Sequence, residues 1–276
     1  MTRLLLCTDL DRTLIPNGTQ PESPGARERF RRLVGREEVT LAYVSGRHRA
    51  LIAQAIVEYH LPQPDFVIAD VGSSIYRVAA GGWQQWQAWD AQIAPDWGGR
   101  SHAELRQLLS FSPALKLQEQ EKQNRHKLSF YLALEADAPA LIAEMGARLE
   151  QAGIKANLIW SIDELAAVGL LDVLPASANK LHAIHFLMQE MNFTRATTLF
   201  AGDSGNDLDV LVSDVPAVLV ANADAGVKRQ AAAAHPETLY VAHGGYLGMN
   251  GNYSAGILEG AAHYWPEADA WLHEMN

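Results

Sequence analysis

The 276 residues include a single cysteine, Cys7, so no disulfide within the chain can staple the fold, and a packed core must hold it. Positive charge is scarce: 22 lysines and arginines face 32 aspartates and glutamates, a formal net charge of −10. That balance argues against nucleic acid or an anionic membrane as the main partner. No apolar run is long enough to span a bilayer. The few apolar residues between Arg3 and Asp9 are too short for a signal peptide, and the expected location is the cytoplasm. Internal repeats and low-complexity tracts are absent as well. What is present is an ordinary globular composition, on a chain long enough for one large domain or two modest ones.

The basic residues that do cluster, Arg27, Arg29, Arg31, Arg32 and Arg36, are interleaved with Glu28, Glu37 and Glu38 and read as a solvated helix face. Cys7 lies in an apolar run, Leu4 to Cys7, that reads as a buried strand and makes it a small core residue. Further strands are expected at 39–44 and 66–68, with a helix between them. Such alternation implies βαβ units and a parallel sheet. Residues 76–89, with Gly81-Gly82 inside, read as a hairpin. Trp83, Trp86 and Trp89 recur every third residue and are assigned to packing, with a sugar-stacking platform as the rival reading. From 89 to 175 the pattern changes: helices at 103–109 and 138–152, the latter closed by Gly153, and strands at 127–134, 156–162 and 170–174. The parallel pattern then resumes, with a helix from about Ala178-Asn179-Lys180 and strands at 197–201, 218–220 and 239–241. A short helix at Leu208–Leu211 and one from Ala255 to Tyr264 complete it. The fold class is therefore α/β, a Rossmann-like parallel-sheet core at 1–87 and 176–276 interrupted by an inserted α+β domain at 88–175.

Polar clusters fall where strands end. Asp9-Leu10-Asp11-Arg12-Thr13 follows the first strand, Ser45-Gly46-Arg47 the second, and Gly202-Asp203-Ser204-Gly205-Asn206-Asp207 the strand at 197–201. An Asp-x-Asp alone fits a solvated turn equally well. In a parallel sheet, however, these ends share one edge, where α/β proteins place their ligands. Four acids around one point, Asp9, Asp11, Asp203 and Asp207, need a divalent cation, and hard oxygens suit Mg²⁺. Lys180 adds a fixed positive charge, and Ser45 with nearby amides at a helix start can cradle an oxyanion. Together they suit a phosphoryl group.

These four segments, D-L-D-R-T, V-S-G-R, Lys180 and G-D-S-G-N-D, in this order, resemble the four motifs of the haloacid dehalogenase superfamily of phosphotransferases. The insertion lies where that superfamily carries its larger α+β cap. V-G-S-S-I-Y at 71–76, K-L-S-F-Y-L at 127–132, L-D-V-L-P at 171–175, V-A-N-A at 220–223 and G-I-L-E-G-A-A-H-Y at 256–264 are similar to its sucrose-phosphate phosphatase branch. The resemblance implies Asp9 as nucleophile and Asp11 as general acid and base. It implies Mg²⁺ held by Asp9, the Asp11 carbonyl and Asp203, with Asp207 orienting metal-bound water. Ser45, Gly46, Lys180 and Asn206 would bind the phosphoryl group. Arg47, Lys127 and Asn222 are further candidates for substrate contact. The implied substrate is a sugar phosphate, sucrose 6-phosphate foremost. The rivals are mannosylfructose or glycosylglycerate phosphate, a phosphotransferase or mutase reaction, and a binding module with a decayed site. A monomer or weak dimer is expected, with a sugar-phosphate synthase as a candidate partner. Two departures stand out: A-S-A-N before Lys180, and a long loop at 244–252.

Overall fold

The computed structural model describes residues 2–163, 166–234 and 237–274. In chain order the first elements are β1 (Leu4–Thr8), α1 (Ala26–Val34), β2 (Val39–Val44), α2 (Arg49–Glu58), β3 (Phe66–Ala69), β4 (Ser74–Ala79) and β5 (Gly82–Gln85). Then come α3 (Gln87–Ile93), α4 (His102–Leu108), β6 (Lys116–Leu117), β7 (Leu128–Leu132), α5 (Ala138–Gln151), β8 (Ala156–Asp163) and β9 (Val168–Pro175). The chain closes with α6 (Lys180–Met191), β10 (Thr198–Gly202), α7 (Leu208–Leu211), β11 (Ala217–Leu219), α8 (Ala225–Ala234), β12 (Leu239–Val241), α9 (Ser254–Tyr264) and α10 (Pro266–Glu274).

These elements fall into two compact units, Met1–Gln85 with Lys180–Asn276, and Trp86–Asn179. The first holds an eight-stranded sheet in the order β12-β11-β10-β1-β2-β3-β4-β5. The run from β12 to β3 is parallel, while β4 and β5 join antiparallel at one edge. Every residue of β1, β2 and β10 is buried, which is why they read as continuous apolar runs rather than alternating ones. A cluster including Leu6, Tyr43, Ile52, Phe30, Ile257 and Leu258 packs strands against α1, α2 and α9.

The second unit is α+β, with a four-stranded antiparallel sheet ordered β6-β7-β9-β8. Its own core gathers Trp97, Leu105, Phe130, Met145, Leu149 and Val173. Helix α4 starts in a capping box between Ser101 and Glu104, and Asp137 caps α5 by accepting the Ala140 N–H at 3.0 Å.

Several expectations are corrected. The hairpin ends at Gln85, and the segment to 89 turns helical. The three-residue tryptophan spacing thus straddles a strand and a helix: Trp86 and Trp89 are buried, and Trp83 is half-buried beside Tyr76. Packing, not a stacking platform, accounts for them. The expected unit boundaries at 87/88 and 175/176 lie a few residues from the observed ones at 85/86 and 179/180. In α1 the arginines pair as a solvated face should, Arg31 and Arg32 with Glu28, Arg27 with Glu22.

Candidate active site

The sheet order explains the convergence. Strand β1 lies between β10 and β2, so the residues that follow these three strands adjoin at one carboxyl edge. Asp9 leaves β1 with its N–H donated to the Ala201 carbonyl at 2.9 Å. Ser45 leaves β2 with its N–H on Ile68 O at 2.8 Å, and its Oγ accepts the Arg47 N–H at 3.2 Å. Lys180 opens α6.

Lys180 is the hub. Its Nζ donates to Asp9 Oδ1 at 3.0 Å, Asn206 Oδ1 at 3.0 Å and Asp207 Oδ1 at 2.6 Å, which uses all three ammonium protons. Only 2% of the residue is exposed. Burial alone would pull its pKa down, but the Asp207 and Asp9 carboxylates outweigh this and hold it above the ordinary lysine value. Asp207 is fully committed. Its Oδ2 accepts the N–H groups of Asp203 and Ser204, both at 3.1 Å, and the Ser204 hydroxyl at 3.2 Å. This folding-back requires glycine at 202, where a Cβ would lie 2.8 Å from the Asp207 carboxyl.

Carboxylate oxygens of Asp9, Asp203 and Asp207 lie within 4.8 Å of one another. Three buried carboxylates against one ammonium leave an excess of negative charge. Burial pushes the Asp9 pKa well above the carboxylate range, with Lys180 pulling it back and Asp207 and Asp203 pushing it further up. Asp203 is pushed to about 6 by burial and by Asp207. Such a set fits a hard divalent cation. With Asp207 committed to Lys180 and the turn, the side chains that can hold the ion are Asp9 and Asp203. The Asp11 side chain is turned to Arg47 and Asn17, which leaves its backbone carbonyl, the group the resemblance implies, as what Asp11 can offer an ion.

The raised Asp203 value has a measurable consequence. Its folded pKa of about 6 exceeds the ordinary 3.8, so the protonated carboxyl stabilises the fold. That contribution is fully present below about pH 4 and is lost as pH rises through 6, a change worth about 3 kcal/mol. A cation binds the ionised form and offsets the loss. The gain in Tm from saturating Mg²⁺ is therefore expected to be larger at pH 7 than at pH 5 in thermal scans. Equal gains at both would remove Asp203 from the binding set.

Asp11 sits at the rim in a bidentate pair, with Arg47 Nε at 2.7 Å from Oδ2 and a guanidinium nitrogen at 2.6 Å from Oδ1. Asn17 Nδ2 adds a third donor at 2.7 Å. Burial raises the Asp11 pKa, but Arg47, helped by Asn17 and Lys180, outweighs it and holds the carboxyl below its ordinary value. Arg47, a candidate for substrate contact, is engaged with Asp11. Asn222 is corrected more firmly. Its Nδ2 donates to Arg12 O at 2.6 Å and its Oδ1 accepts the Tyr253 N–H at 2.8 Å, so this buried amide braces backbone rather than facing a ligand. Asn206 lies on Lys180, and half-buried Gly46 lies beside Ser45. Lys127 belongs to the second unit, where its Nζ stands 3.6 Å from Asp172 Oδ2. The sequence reading missed Asn17 and the bracing role of Asn222. Both act through contacts that turn chemistry alone does not reveal.

Comparison with known proteins bears on this site. Residues 2–265 match the family model for sucrose-6F-phosphate phosphohydrolase. A Nitrosococcus oceani protein described no further than as a HAD-like hydrolase is 53% identical over 274 residues, covering 98% of this chain and 74% of that one. Sucrose-phosphatase 1 of Nicotiana tabacum is 29% identical over 271 residues, 95% of this chain but 59% of its own length, so the chain spans about three fifths of it. Mannosylfructose-phosphate phosphatase of Agrobacterium fabrum is 27% identical, covering 94% of this chain and 96% of its own. The sucrose-phosphatase of Synechocystis sp. PCC6803, solved with sucrose and phosphate, superposes with a TM-score of 0.75 at 28% identity, covering 96% and 98% of the two chains. With a family model matched along nearly its whole length, the chain belongs to the sucrose-6F-phosphate phosphohydrolase family, a branch of the haloacid-dehalogenase-type phosphoric monoester hydrolases.

Proposed function

We propose that the chain is a Mg²⁺-dependent phosphatase that hydrolyses a sugar phosphate, foremost sucrose 6-phosphate, through an aspartyl-phosphate on Asp9. The observation that carries this reading is the buried Asp9 at the end of β1, held by Lys180 at 3.0 Å within a cluster that also contains Asp203 and Asp207. A carboxylate oxygen of Asp9 attacks phosphorus and forms an acyl phosphate. The bond from phosphorus to the sugar oxygen breaks, and Asp11 gives that oxygen a proton. In the second half a water loses its proton to Asp11, attacks phosphorus and frees the Asp9 carboxylate. The Arg47 pair holds resting Asp11 as the carboxylate that the second half requires. The proton it passes to the sugar oxygen in the first half is therefore taken up from solvent or from the phosphate monoester, and the water's proton returns to Asp11 in the second. Ser45 and the positive charge of Lys180 receive the phosphoryl oxygens, and Lys180 pulls the raised pKa of Asp9 back toward the ionised nucleophile. Asp9 and Asp203 would hold a divalent cation, which would supply positive charge opposite the phosphoryl oxygens.

The family model and the Synechocystis structure support sucrose 6-phosphate. The Agrobacterium relative, matched over nearly both full lengths, supports mannosylfructose phosphate as the second reading. Sugar recognition by the Trp86–Asn179 unit, with Lys127 as a candidate contact, is part of the proposal. Phosphate release with Mg²⁺ should be measured across both disaccharide phosphates and the hexose monophosphates. We expect kcat/KM on sucrose 6-phosphate at least tenfold above glucose 6-phosphate or fructose 6-phosphate, the size of a lost set of sugar contacts. Equal or faster release from the monophosphates would defeat the sucrose reading. Preference for mannosylfructose phosphate would move the assignment to the second.

A further inference from the structure

Arg12 takes no part in the chemistry above, yet the fold holds it at a cost. Its backbone is left-handed, with φ 58, a region that strains a residue bearing a long side chain. Such strain persists where neighbours over-determine the backbone, and here both sides of the residue are gripped. The Arg12 N–H donates to Asn17 Oδ1 at 2.8 Å, and the Arg12 carbonyl accepts from Asn222 Nδ2 at 2.6 Å. Asn222 is anchored in turn by the Tyr253 N–H at 2.8 Å. Tyr253 also has a positive φ, 51, and its hydroxyl donates to Gln20 O at 3.1 Å. The end of the long 244–252 loop and the V-A-N-A segment thus converge on one carbonyl.

The result is a guanidinium aimed at a metal-binding carboxylate. Arg12 Nε stands 3.6 Å from Asp203 Oδ2. Thr13 Oγ1 donates to the other oxygen, Oδ1, at 3.0 Å. Asp203 keeps lone pairs on both oxygens for a cation, and the arginine charge stands at one of them, Oδ2. A separation of 3.6 Å is an ion pair and not a hydrogen bond. The Arg12 side chain is 46% exposed, so the contact can be released into solvent at small cost.

We propose that Arg12 is a built-in competitor for the divalent cation. It balances Asp203 while the ion is away, gives way when the ion binds, and sets the affinity of the site below what the carboxylates alone would give. The inference rests on the metal reading of the preceding section. Isothermal titration calorimetry of the full chain with Mg²⁺ tests it, using wild type, Arg12→Gln and Arg12→Asn. Glutamine keeps much of the length without the charge. Asparagine tolerates the left-handed backbone well, which guards against misfolding. Both variants are expected to bind Mg²⁺ about two- to fivefold more tightly, the scale of a half-exposed ion pair, and the gain should shrink as salt screens the charge. Unchanged or weaker binding in either variant overturns the inference and leaves the metal reading standing. No binding to wild type at millimolar Mg²⁺ removes the metal reading itself.

Discussion

Asp9→Asn is expected to lower phosphate release by roughly 10⁴-fold or more, because the attacking oxygen is lost and the other parts of the site cannot replace it. The fold should survive. Asparagine has nearly the same shape, and its Oδ1 can still accept from Lys180 Nζ, which stands 3.0 Å away in the wild type. The substitution also removes one of three buried negative charges that crowd within 4.8 Å. Burial, and after it the neighbouring like charges, raise the pKa values of Asp9 and Asp203. The metal-free Tm should therefore stay level or rise while turnover collapses. A merely structural role for Asp9 would move both in the same direction. Release within tenfold of wild type, on whichever sugar phosphate proves best, would take the nucleophile's part away from Asp9.

The convergence behind that expectation was readable from sequence for a physical reason. Strands buried on both faces are continuous apolar runs, so β1, β2 and β10 announce themselves, and the polar residues after each must lie at one edge once the sheet is parallel. The convergence of Asp9, Ser45, Asp203 and Asp207 followed from that, while Lys180, at the start of α6, was picked out by its place in the four-motif resemblance. What stayed hidden depends on side-chain direction and on pairing between distant segments. Arg47 and Asp11 are 36 residues apart, and nothing in V-S-G-R says that its arginine turns back to the first motif. The left-handed Arg12 backbone leaves no trace in D-L-D-R-T, because its cause lies at Asn17 and at Asn222, 210 residues away. Asn222 looked ligand-facing because it follows a strand at the active edge, yet its amide is used on backbone. The tryptophan spacing misled differently. A period of three fits neither strand nor helix, and it arises because Trp83 lies in the last strand of a hairpin while Trp89 lies within α3.

Lys180→Met should be the most destabilising of these changes. Methionine matches the stem of the lysine and fills the same space, so packing is largely kept and the charge is what is lost. That charge is bonded to Asp9, Asn206 and Asp207 at once, and Asp9 and Asp207 are almost wholly shielded from water. Breaking a buried pair by removing one partner typically costs about 3–5 kcal/mol, since the remaining charge is stranded. Here two carboxylates would be stranded together. For a chain of this size the loss corresponds to a fall in Tm of roughly 6–20 °C. The variant should recover as pH is lowered, because protonation removes the stranded negative charge from a buried carboxyl. Lys180→Met/Asp207→Asn should recover part of the loss at pH 7, since one stranded charge is gone. Thermal scans of the three proteins at pH 5 and pH 7 give the answer. A single variant within 2 °C of wild type at both pH values would mean that Asp9 and Asp207 find their counter-charge elsewhere, and that Lys180 is not the residue on which the site is built.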